Sequence, residues 1–284
     1  MTAFPVTRVV QALEAAGLLV ATRGTLPDSA SDIADDSRAA SPGAIFVAVR
    51  GLERDGHDYL QHAAERGAAA AIVEDAERTE LPRLVVGDGR RAAAVAAAAA
   101  FDAPARALRI LSVTGTNGKT TTVGIVRHLL DRADAPSASI GTLGILLGSA
   151  GRPVEGGGGL TTPGAVGLQR AFRGLVDAGV RTVAMEVSSH SLDQRRVDGV
   201  AFDVVVFTNL TRDHLDYHGT MGAYFAAKAG LIEHIKPDGV AVVNADDPAW
   251  QRLPAIRRGV AFGIRSANAD VRAERVRFSP GGSQ

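Results

Sequence analysis

The chain has 284 residues, no cysteine and a formal net charge of +0, from 31 Lys+Arg against 31 Asp+Glu. Its hydrophobic fraction of 46% and charged fraction of 22% are typical of a soluble globular protein and exclude disorder as the main state. The lack of cysteine excludes a disulfide framework, a thiolate nucleophile and a Cys-ligated zinc site. The neutral charge argues against a general nucleic-acid binder.

No stretch of the chain approaches the roughly 18 consecutive apolar residues that a membrane helix needs. The first ten residues, MTAFPVTRVV, lack the basic and apolar regions of a signal peptide. We therefore expect a cytoplasmic protein that binds neither a membrane nor nucleic acid.

The first hundred residues alternate short apolar runs with helical spacing, which indicates an α/β fold. The pattern predicts strands at 44–49, 69–73 and 83–86 and helices at 58–66 and 90–101. The aperiodic, proline-containing segment 102–106 then predicts a domain boundary. We place an N-terminal domain at 1–104 and a central domain at 105–284.

The second part of the chain carries near-continuous apolar runs, predicted as strands at 109–114, 182–187, 203–208 and 239–244. Helical patterns lie between them, at 119–132, 166–178 and 221–235. Such strands predict a mostly parallel sheet covered by helices on both faces. The four glycines at 156–159 predict a flexible, exposed loop. The tail at 270–284 predicts a strand that leads into a turn without a partner strand, as if the chain were cut within a domain.

The strongest motif is VTGTNGKTTT at 113–122, which follows an apolar run and opens a helical pattern. Glycines allow backbone N–H groups to cradle phosphate oxygens at a helix N-terminus. In such loops the lysine, here Lys119, reaches the phosphates and the next hydroxyl, here Thr120, binds Mg²⁺. Val113 stands where the usual pattern has its first glycine. The strand–loop–helix context favours nucleotide binding over a glycine turn with a surface lysine.

Two further polar clusters follow apolar runs. Glu186 lies in MEVSSH at 185–190, and Asp213, His214, Asp216 and His218 lie in FTNLTRDHLDYH at 207–218. Ligands bind beyond the carboxyl ends of strands in an open α/β sheet, and carboxylates suit Mg²⁺. Taken alone, each cluster has an alternative interpretation as capping residues at the end of a strand or as a solvent-exposed loop. Three such clusters favour one site.

Lys228 lies in YFAAKAGL at 224–231, a lysine on an apolar helix. Its spacing alone predicts nothing beyond a surface side chain whose stem packs on the helix.

Together these stretches resemble the Mur ligases. TGTNGKTTT is common to Mur ligases and folylpolyglutamate synthases, whereas MEVSSHSLDQRRV and FTNLTRDHLDYHGTMGAYFAAK look like the MurE type. The segment DSR at 36–38, followed by PGAIFVAVRGLERDGHDY, resembles the uridine-binding domain of those enzymes. The resemblance runs over nearly all of the chain but covers only the first two of the three domains that such ligases have.

The resemblance implies a small α/β uridine-binding domain followed by a mostly parallel ATPase sheet that is incomplete at its C-terminal end. It implies an ATP- and Mg²⁺-dependent ligase of peptidoglycan precursor synthesis. The enzyme would add a diamino acid to UDP-N-acetylmuramoyl-L-Ala-D-Glu through an acyl phosphate. The Ala- and Arg-rich composition favours meso-diaminopimelate over L-lysine as that amino acid. The oligomeric state is left open.

The resemblance also implies the site residues. Catalysis would use Lys119, Glu186, His214 and Lys228. The ATP phosphates would be bound by Gly115, Thr116, Asn117, Gly118, Lys119, Thr120 and Thr121. Mg²⁺ would be held by Thr120, Glu186, His214 and Lys228, the last as an N-carboxylated lysine. The UDP substrate would be bound by Ser37, Thr161, Thr162, Ser188, Gln194 and Arg196.

Two alternatives stay open at this point. A folylpolyglutamate synthase-like ligase shares the phosphate loop and the modified lysine. The other alternative is a catalytically incomplete nucleotide-binding fragment, since the resemblance does not extend to the C-terminal domain of such ligases. For the same reason we expect the chain alone to have little ligase activity.

Overall fold

The computed structural model describes residues 3–154 and 159–276 and, as backbone, the strands at 278–279 and 282–283. Its helices are α1 (Val6–Ala15), α2 (Leu60–Glu65), α3 (Gly89–Ala100), α4 (Lys119–Leu130), α5 (Ala165–Asp177), α6 (Ser189–Asp193), α7 (Leu215–His218) and α8 (Met221–Ala229). The strands of the first part are β1 (Phe4–Pro5), β2 (Leu19–Arg23), β3 (Ser29–Ala30), β4 (Ile33–Ala34), β5 (Ile45–Val47), β6 (Ala70–Val73) and β7 (Arg83–Val86). Those that follow are β8 (Arg109–Thr114), β9 (Ser137–Gly141), β10 (Gly144–Leu147), β11 (Arg152–Val154), β12 (Thr182–Glu186), β13 (Phe202–Phe207), β14 (Ile235–Asn244), β15 (Gly259–Gly263), β16 (Val271–Arg272), β17 (Phe278–Ser279) and β18 (Gly282–Ser283).

The chain forms two compact units. The first comprises residues 1–107, 163–178 and 193–200, and the second comprises 108–162, 179–192 and 201–284. Two segments from beyond residue 160, one of them containing α5, therefore belong to the first unit. The domain boundary that we placed at residue 104 stays a prediction.

The first unit is an α/β domain, as predicted. Five of its described strands form a sheet in the order β2-β7-β6-β5-β4, in which only the β2–β7 pair is antiparallel, and β1 and β3 form a separate antiparallel pair. The core packs α1, α3 and α5 together and against the sheet, with Leu13, Ile45 and Ile72 fully buried. Helix α3 is rich in alanine, whose small side chain allows neighbouring elements to approach closely.

The second unit is built on a sheet of nine described strands, in the order β11-β10-β9-β12-β8-β13-β14-β15-β16. The strands from β9 to β16 in that order pair in parallel, and β10 and β11 add antiparallel pairs at one edge. Helices cover both faces, which confirms the predicted architecture. No helix of the described part of the chain is long and apolar enough to cross a membrane.

Several of the predicted element boundaries are wrong. The helix expected at 221–235 ends at Ala229, and a 3-10 turn over Gly230–His234 follows. Strand β14 then begins at Ile235, four residues before the predicted start, because Ile235 already pairs with Phe202 of β13, ahead of a shift in the register of the two strands. The helix expected at 119–132 ends at Leu130.

The expectation of an unpartnered strand in the tail is also wrong. Strand β16 pairs in parallel with β15, which precedes it in the chain, and β17 pairs with β18. The partner of β16 therefore lies upstream, where a search for a downstream strand would miss it. The predicted glycine loop falls mainly on residues 155–158, outside the described residues.

Candidate functional site

The carboxyl ends of three neighbouring parallel strands meet at one edge of the second unit's sheet. In the register of these strands Glu186 pairs with Val113, and Phe207 pairs with Thr114. The segments that follow β8, β12 and β13 therefore leave the sheet side by side. This is where ligands bind in open α/β sheets, and the three polar motifs lie on these segments.

The segment after β8, Gly115–Thr121, is called the phosphate loop below. Gly115 has φ 144° and Gly118 has φ 84°, conformations that other residues rarely adopt. A Cβ atom on Gly115 would overlap Oγ1 of Thr208. Helix α4 begins at Lys119, and its first intrahelical hydrogen bond runs from Thr122 N to Gly118 O. The N–H groups just before that bond lie at a helix N-terminus, which favours an anion.

Lys119 lies across the phosphate loop. Its Nζ donates to Gly115 O at 2.9 Å and to Thr116 O at 2.8 Å. Burial lowers the pKa of the Lys119 ammonium, against the opposing effect of Glu186 and Asp213. The alternative of a surface lysine after a glycine turn does not describe this side chain.

Lys228 is buried, with 1% of its surface exposed. Its Nζ donates to Gly115 O at 2.9 Å and lies 4.6 Å from the centre of the Tyr224 ring. Burial, with Lys119 as the second cause, lowers the pKa of Lys228 from 10.5 to about 7. The expectation of an exposed, snorkelling lysine is therefore wrong, because α8 turns this side chain toward the phosphate loop. The two lysines share one carbonyl oxygen.

Glu186 is also buried, with 1% exposed. Its Oε1 accepts from Thr142 N at 2.9 Å, and its Oε2 faces Thr142 Oγ1 at 3.4 Å. A Cβ atom on Gly141 would overlap this carboxylate, so the glycine makes room for it. The result is a fixed carboxylate within electrostatic reach of Lys119.

His214 lies at the rim of this edge, in a left-handed conformation with φ 50°. Its ring centre is 4.7 Å from that of His190 and 6.1 Å from that of Tyr224. Its side chain is 44% exposed, and its Nε2 is 3.5 Å from Asp213 Oδ2. Among the described residues no group of three or more His, Asp or Glu side chains is arranged to hold a metal ion.

The available donors nevertheless fit Mg²⁺ in kind. Mg²⁺ prefers oxygen ligands. Thr120, which carries a hydroxyl, lies in the first turn of α4, and Glu186, which carries a carboxylate, is the last residue of β12.

The residues implied for the UDP substrate fall into both units. Ser37, Gln194 and Arg196 belong to the first unit, and Thr161, Thr162 and Ser188 belong to the second. In the second unit, Thr162 Oγ1 donates to Glu186 O at 2.9 Å and accepts from Ser188 N at 3.2 Å. Thr161 Oγ1 lies 3.1 Å from Thr142 Oγ1.

Within the first unit, Ser37 is buried and its Oγ lies 2.9 Å from His62 Nδ1. Arg196 Nε donates to Gln194 Oε1 at 3.0 Å. Each of these candidate residues thus makes at least one hydrogen-bond contact within its own unit.

Several residues of the site were not singled out from the sequence. Thr142 follows β9, a strand whose SASIG sequence gives little apolar signal, and Tyr224 lies on α8 one turn before Lys228. Asn209 and Thr208 contact the phosphate loop from the segment after β13. Asn209 could have been identified from the sequence, because it directly follows the apolar run that was predicted as a strand at 203–208.

The family models match almost the whole of the chain. The Mur ligase middle domain matches residues 113–284, and the catalytic domain of the Mur ligase family matches residues 32–111.

Several known proteins are similar to this chain over most of its length. A UDP-N-acetylmuramoyl-L-alanyl-D-glutamate–2,6-diaminopimelate ligase of Geobacter sulfurreducens is 44% identical over 273 residues, 93% of this chain and 53% of that protein. The ligase of the same name from Geobacter metallireducens is 46% identical over 257 residues, 87% of this chain and 49% of that protein. The chain thus spans about half the length of the curated relatives it matches.

Solved structures share the fold. A structure of a UDP-N-acetylmuramoyl-L-alanyl-D-glutamate–2,6-diaminopimelate ligase gives a TM-score of 0.75 at 29% identity, covering 93% of this chain and 55% of that one. A folylpolyglutamate synthase of Mycobacterium tuberculosis, complexed with ADP and AMPPCP, gives 0.52 at 18% identity, covering 68% and 50%. The second likeness shows a shared fold alone.

Proposed function

The chain belongs to the Mur ligase family, and from that premise we propose that it carries the UDP-substrate-binding and ATP-binding parts of a MurE-type ligase. The ligase joins a diamino acid to UDP-N-acetylmuramoyl-L-Ala-D-Glu in the cytoplasm, for peptidoglycan synthesis. The observation that carries this proposal is the edge at which the buried Lys228 and the partly buried Lys119 both donate to the Gly115 carbonyl, with the fixed Glu186 carboxylate at the same edge. The site residues implied by the family resemblance are part of the proposal.

The reaction consists of two substitutions. The side-chain carboxylate of the substrate's D-Glu attacks the γ-phosphorus of ATP, and ADP leaves as an acyl phosphate forms. The amine of the diamino acid then attacks the acyl carbon, loses a proton, and phosphate leaves as the amide forms. Negative charge moves between oxygens in both steps, so stabilisation by fixed positive groups supplies most of the catalysis.

The chain's own groups have separate roles in this chemistry. Lys119 and the N–H groups at the start of α4 stabilise the phosphate oxygens, and Glu186 and Thr120 would hold the cation. Mg²⁺, when bound, would neutralise charge on the phosphates and polarise the γ-phosphoryl group. Arg196, in the first unit, would contact the UDP substrate.

Lys228 is proposed to act as a carbamate. The neutral ε-amine attacks the carbon of CO₂ and loses one proton to solvent, which converts an uncharged amine into a carbamate, a carboxylate-like anion on a long arm. That step needs the unprotonated amine, and the lowering of the Lys228 pKa to about 7 supplies it near neutral pH. The buried position also restricts the access of water. The carbamate and His214 would be the further ligands of the cation.

Two features of the relatives bear on the finer assignment. The relatives at 44% and 46% identity are named for 2,6-diaminopimelate, which favours that amino acid over L-lysine. Likeness to the folylpolyglutamate synthases is limited to the fold, so this alternative is less well supported.

Binding of the UDP substrate tests the proposal. We expect the 284-residue chain to bind UDP-N-acetylmuramoyl-L-Ala-D-Glu with measurable heat in a calorimetric titration, because the residues implied for this ligand are present in both units. A dihydrofolate titration under the same conditions is the control for the folylpolyglutamate alternative. A folded chain that gives no heat with the UDP substrate, or that binds the folate instead, would contradict the assignment.

A further inference from the structure

The segment that follows β13, Thr208–Thr211, is hydrogen-bonded to the phosphate loop. Asn117 N donates to Asn209 Oδ1 at 3.0 Å, and Asn209 Nδ2 donates to Asn117 O at 3.1 Å. Thr116 N also donates to the backbone carbonyl of Asn209 at 2.7 Å. One residue therefore makes three hydrogen bonds to two consecutive residues of the loop.

The orientation of the Asn209 carboxamide is fixed by these partners. A backbone N–H can only donate and a backbone carbonyl can only accept, so Oδ1 must face Asn117 N and Nδ2 must face Asn117 O. An aspartate would set an oxygen against the Asn117 carbonyl, and an alanine would make neither bond. Asparagine is thus matched to both groups of the Asn117 residue.

The segment Thr208–Thr211 is also hydrogen-bonded to a second part of the protein, the end of β14 and the turn after it. Thr208 O accepts from Asn244 Nδ2 at 2.7 Å, and Leu210 N donates to Asp247 Oδ2 at 2.7 Å. Both of these side chains come from the end of β14 and the turn that follows it. Thr208 Oγ1 adds a bond to Asn117 O at 2.7 Å. The phosphate loop is therefore held against a second strand end and is not supported by its own helix alone.

The contacts also separate the amides of the phosphate loop into two groups. The N–H groups of Thr116 and Asn117 are engaged by Asn209, so in this structure they point at protein. The N–H groups at the start of α4 precede the first intrahelical bond. In this structure the backbone of Thr116 and Asn117 is therefore held by Asn209, whereas the helix start is held by its own helix.

We propose that Asn209 is a positioning residue of the nucleotide site, which holds the phosphate loop in its phosphate-accepting shape before the nucleotide binds. The inference rests on the proposed ATP binding of this loop. A loop that is already ordered loses less conformational entropy on binding, which raises affinity without a direct contact. Asn209 touches no phosphate in this account.

The test measures ADP binding in the presence of Mg²⁺ on the full 284-residue chain. The variants are Asn209→Ala, the milder Asn209→Ser, and Asn268→Ala as the control, since Asn268 is an exposed asparagine on the loop after β15. Loss of two hydrogen bonds to the loop is expected to raise the Kd for ADP about tenfold or more in Asn209→Ala. Asn209→Ser should lie between it and wild type, and Asn268→Ala should bind as wild type does.

A second readout separates positioning from general stability. Without nucleotide, amide hydrogen exchange in the peptide spanning 115–121 should rise in both Asn209 variants, while exchange in β12 stays at the wild-type level. A Kd within twofold of wild type in a folded Asn209→Ser variant would overturn the proposal, as would equal exchange in the loop. If the wild-type chain binds no ADP, the proposed nucleotide function fails instead.

Discussion

Replacing Lys228 by alanine is expected to lower the turnover number for amide formation roughly 150-fold or more. The substitution removes the buried arm that would carry the carbamate beside Glu186 and Lys119, and loss of a preorganised charged group of this kind costs about 3 kcal/mol, or roughly 150-fold in rate. The assay uses a chimera in which this chain is fused to the C-terminal part of the Geobacter sulfurreducens relative that the match does not span. Short-chain carboxylates should restore part of the rate to Lys228→Ala.

The matched control is Lys236→Ala. The chain has three lysines, Lys119, Lys228 and Lys236, and Lys236 pairs with Asp203 at 2.8 Å near the start of β14, away from the carboxyl ends of the strands. Its loss should leave turnover within about twofold, because this partly buried ion pair lies at the opposite end of the strands from the site. A Lys228→Ala chimera that turns over within threefold of wild type would show that the lysine takes no part in the chemistry.

The second large effect is a pH dependence of stability that belongs to Lys228. The unfolded lysine holds its proton up to about pH 10.5, and the folded one releases it near pH 7. Between these values the unfolded state binds more protons than the folded state, so the free energy of unfolding rises with pH in this window. The rise is up to about 1.4 kcal/mol per pH unit, and below pH 7 the buried ammonium is a constant cost to the folded state.

Urea unfolding of wild type and Lys228→Met, in CO₂-free buffer at several pH values from 7 to 10, measures this dependence. The difference between the two free energies of unfolding should change with pH in favour of wild type as pH rises. Adding bicarbonate should stabilise wild type alone, because CO₂ captured only by the folded lysine acts as a ligand of the folded state. Parallel pH profiles for the two proteins would show that the pKa of Lys228 is close to its ordinary value.

The sequence predicted the parts of the fold whose burial is nearly continuous. Strands β8, β12 and β13 lie in the middle of the sheet with neighbours on both sides, so each contains buried apolar residues that are easily recognised. The antiparallel strands β10 and β11 lie at an edge, where exposure weakens the pattern. Helix α1 was not predicted, although its buried residues Val6, Val9 and Leu13 have helical spacing.

The candidate site was only partly predictable, for a related reason. Lys119, Glu186 and His214 each follow an apolar strand or its loop, so the rule for strand ends places them together. The burial of Lys228 depends on how α8 packs, which local spacing does not encode, and only the family resemblance pointed to it. The hydrogen bonds between Asn209 and Asn117 join residues that are 92 positions apart in the chain, and no local pattern predicts such a pair.

The central claim is that the phosphate loop binds Mg²⁺-ATP, and calorimetric titration of the 284-residue chain with a non-hydrolysable ATP analogue and Mg²⁺ tests it most directly. We predict one binding site per chain in wild type and in Lys236→Ala. In Lys119→Ala the affinity should fall at least about tenfold, since hydrogen bonds to charged groups contribute about 1.5–3 kcal/mol. A folded wild-type chain that gives no heat, or a Lys119→Ala variant that binds the analogue as tightly as wild type, would contradict the account.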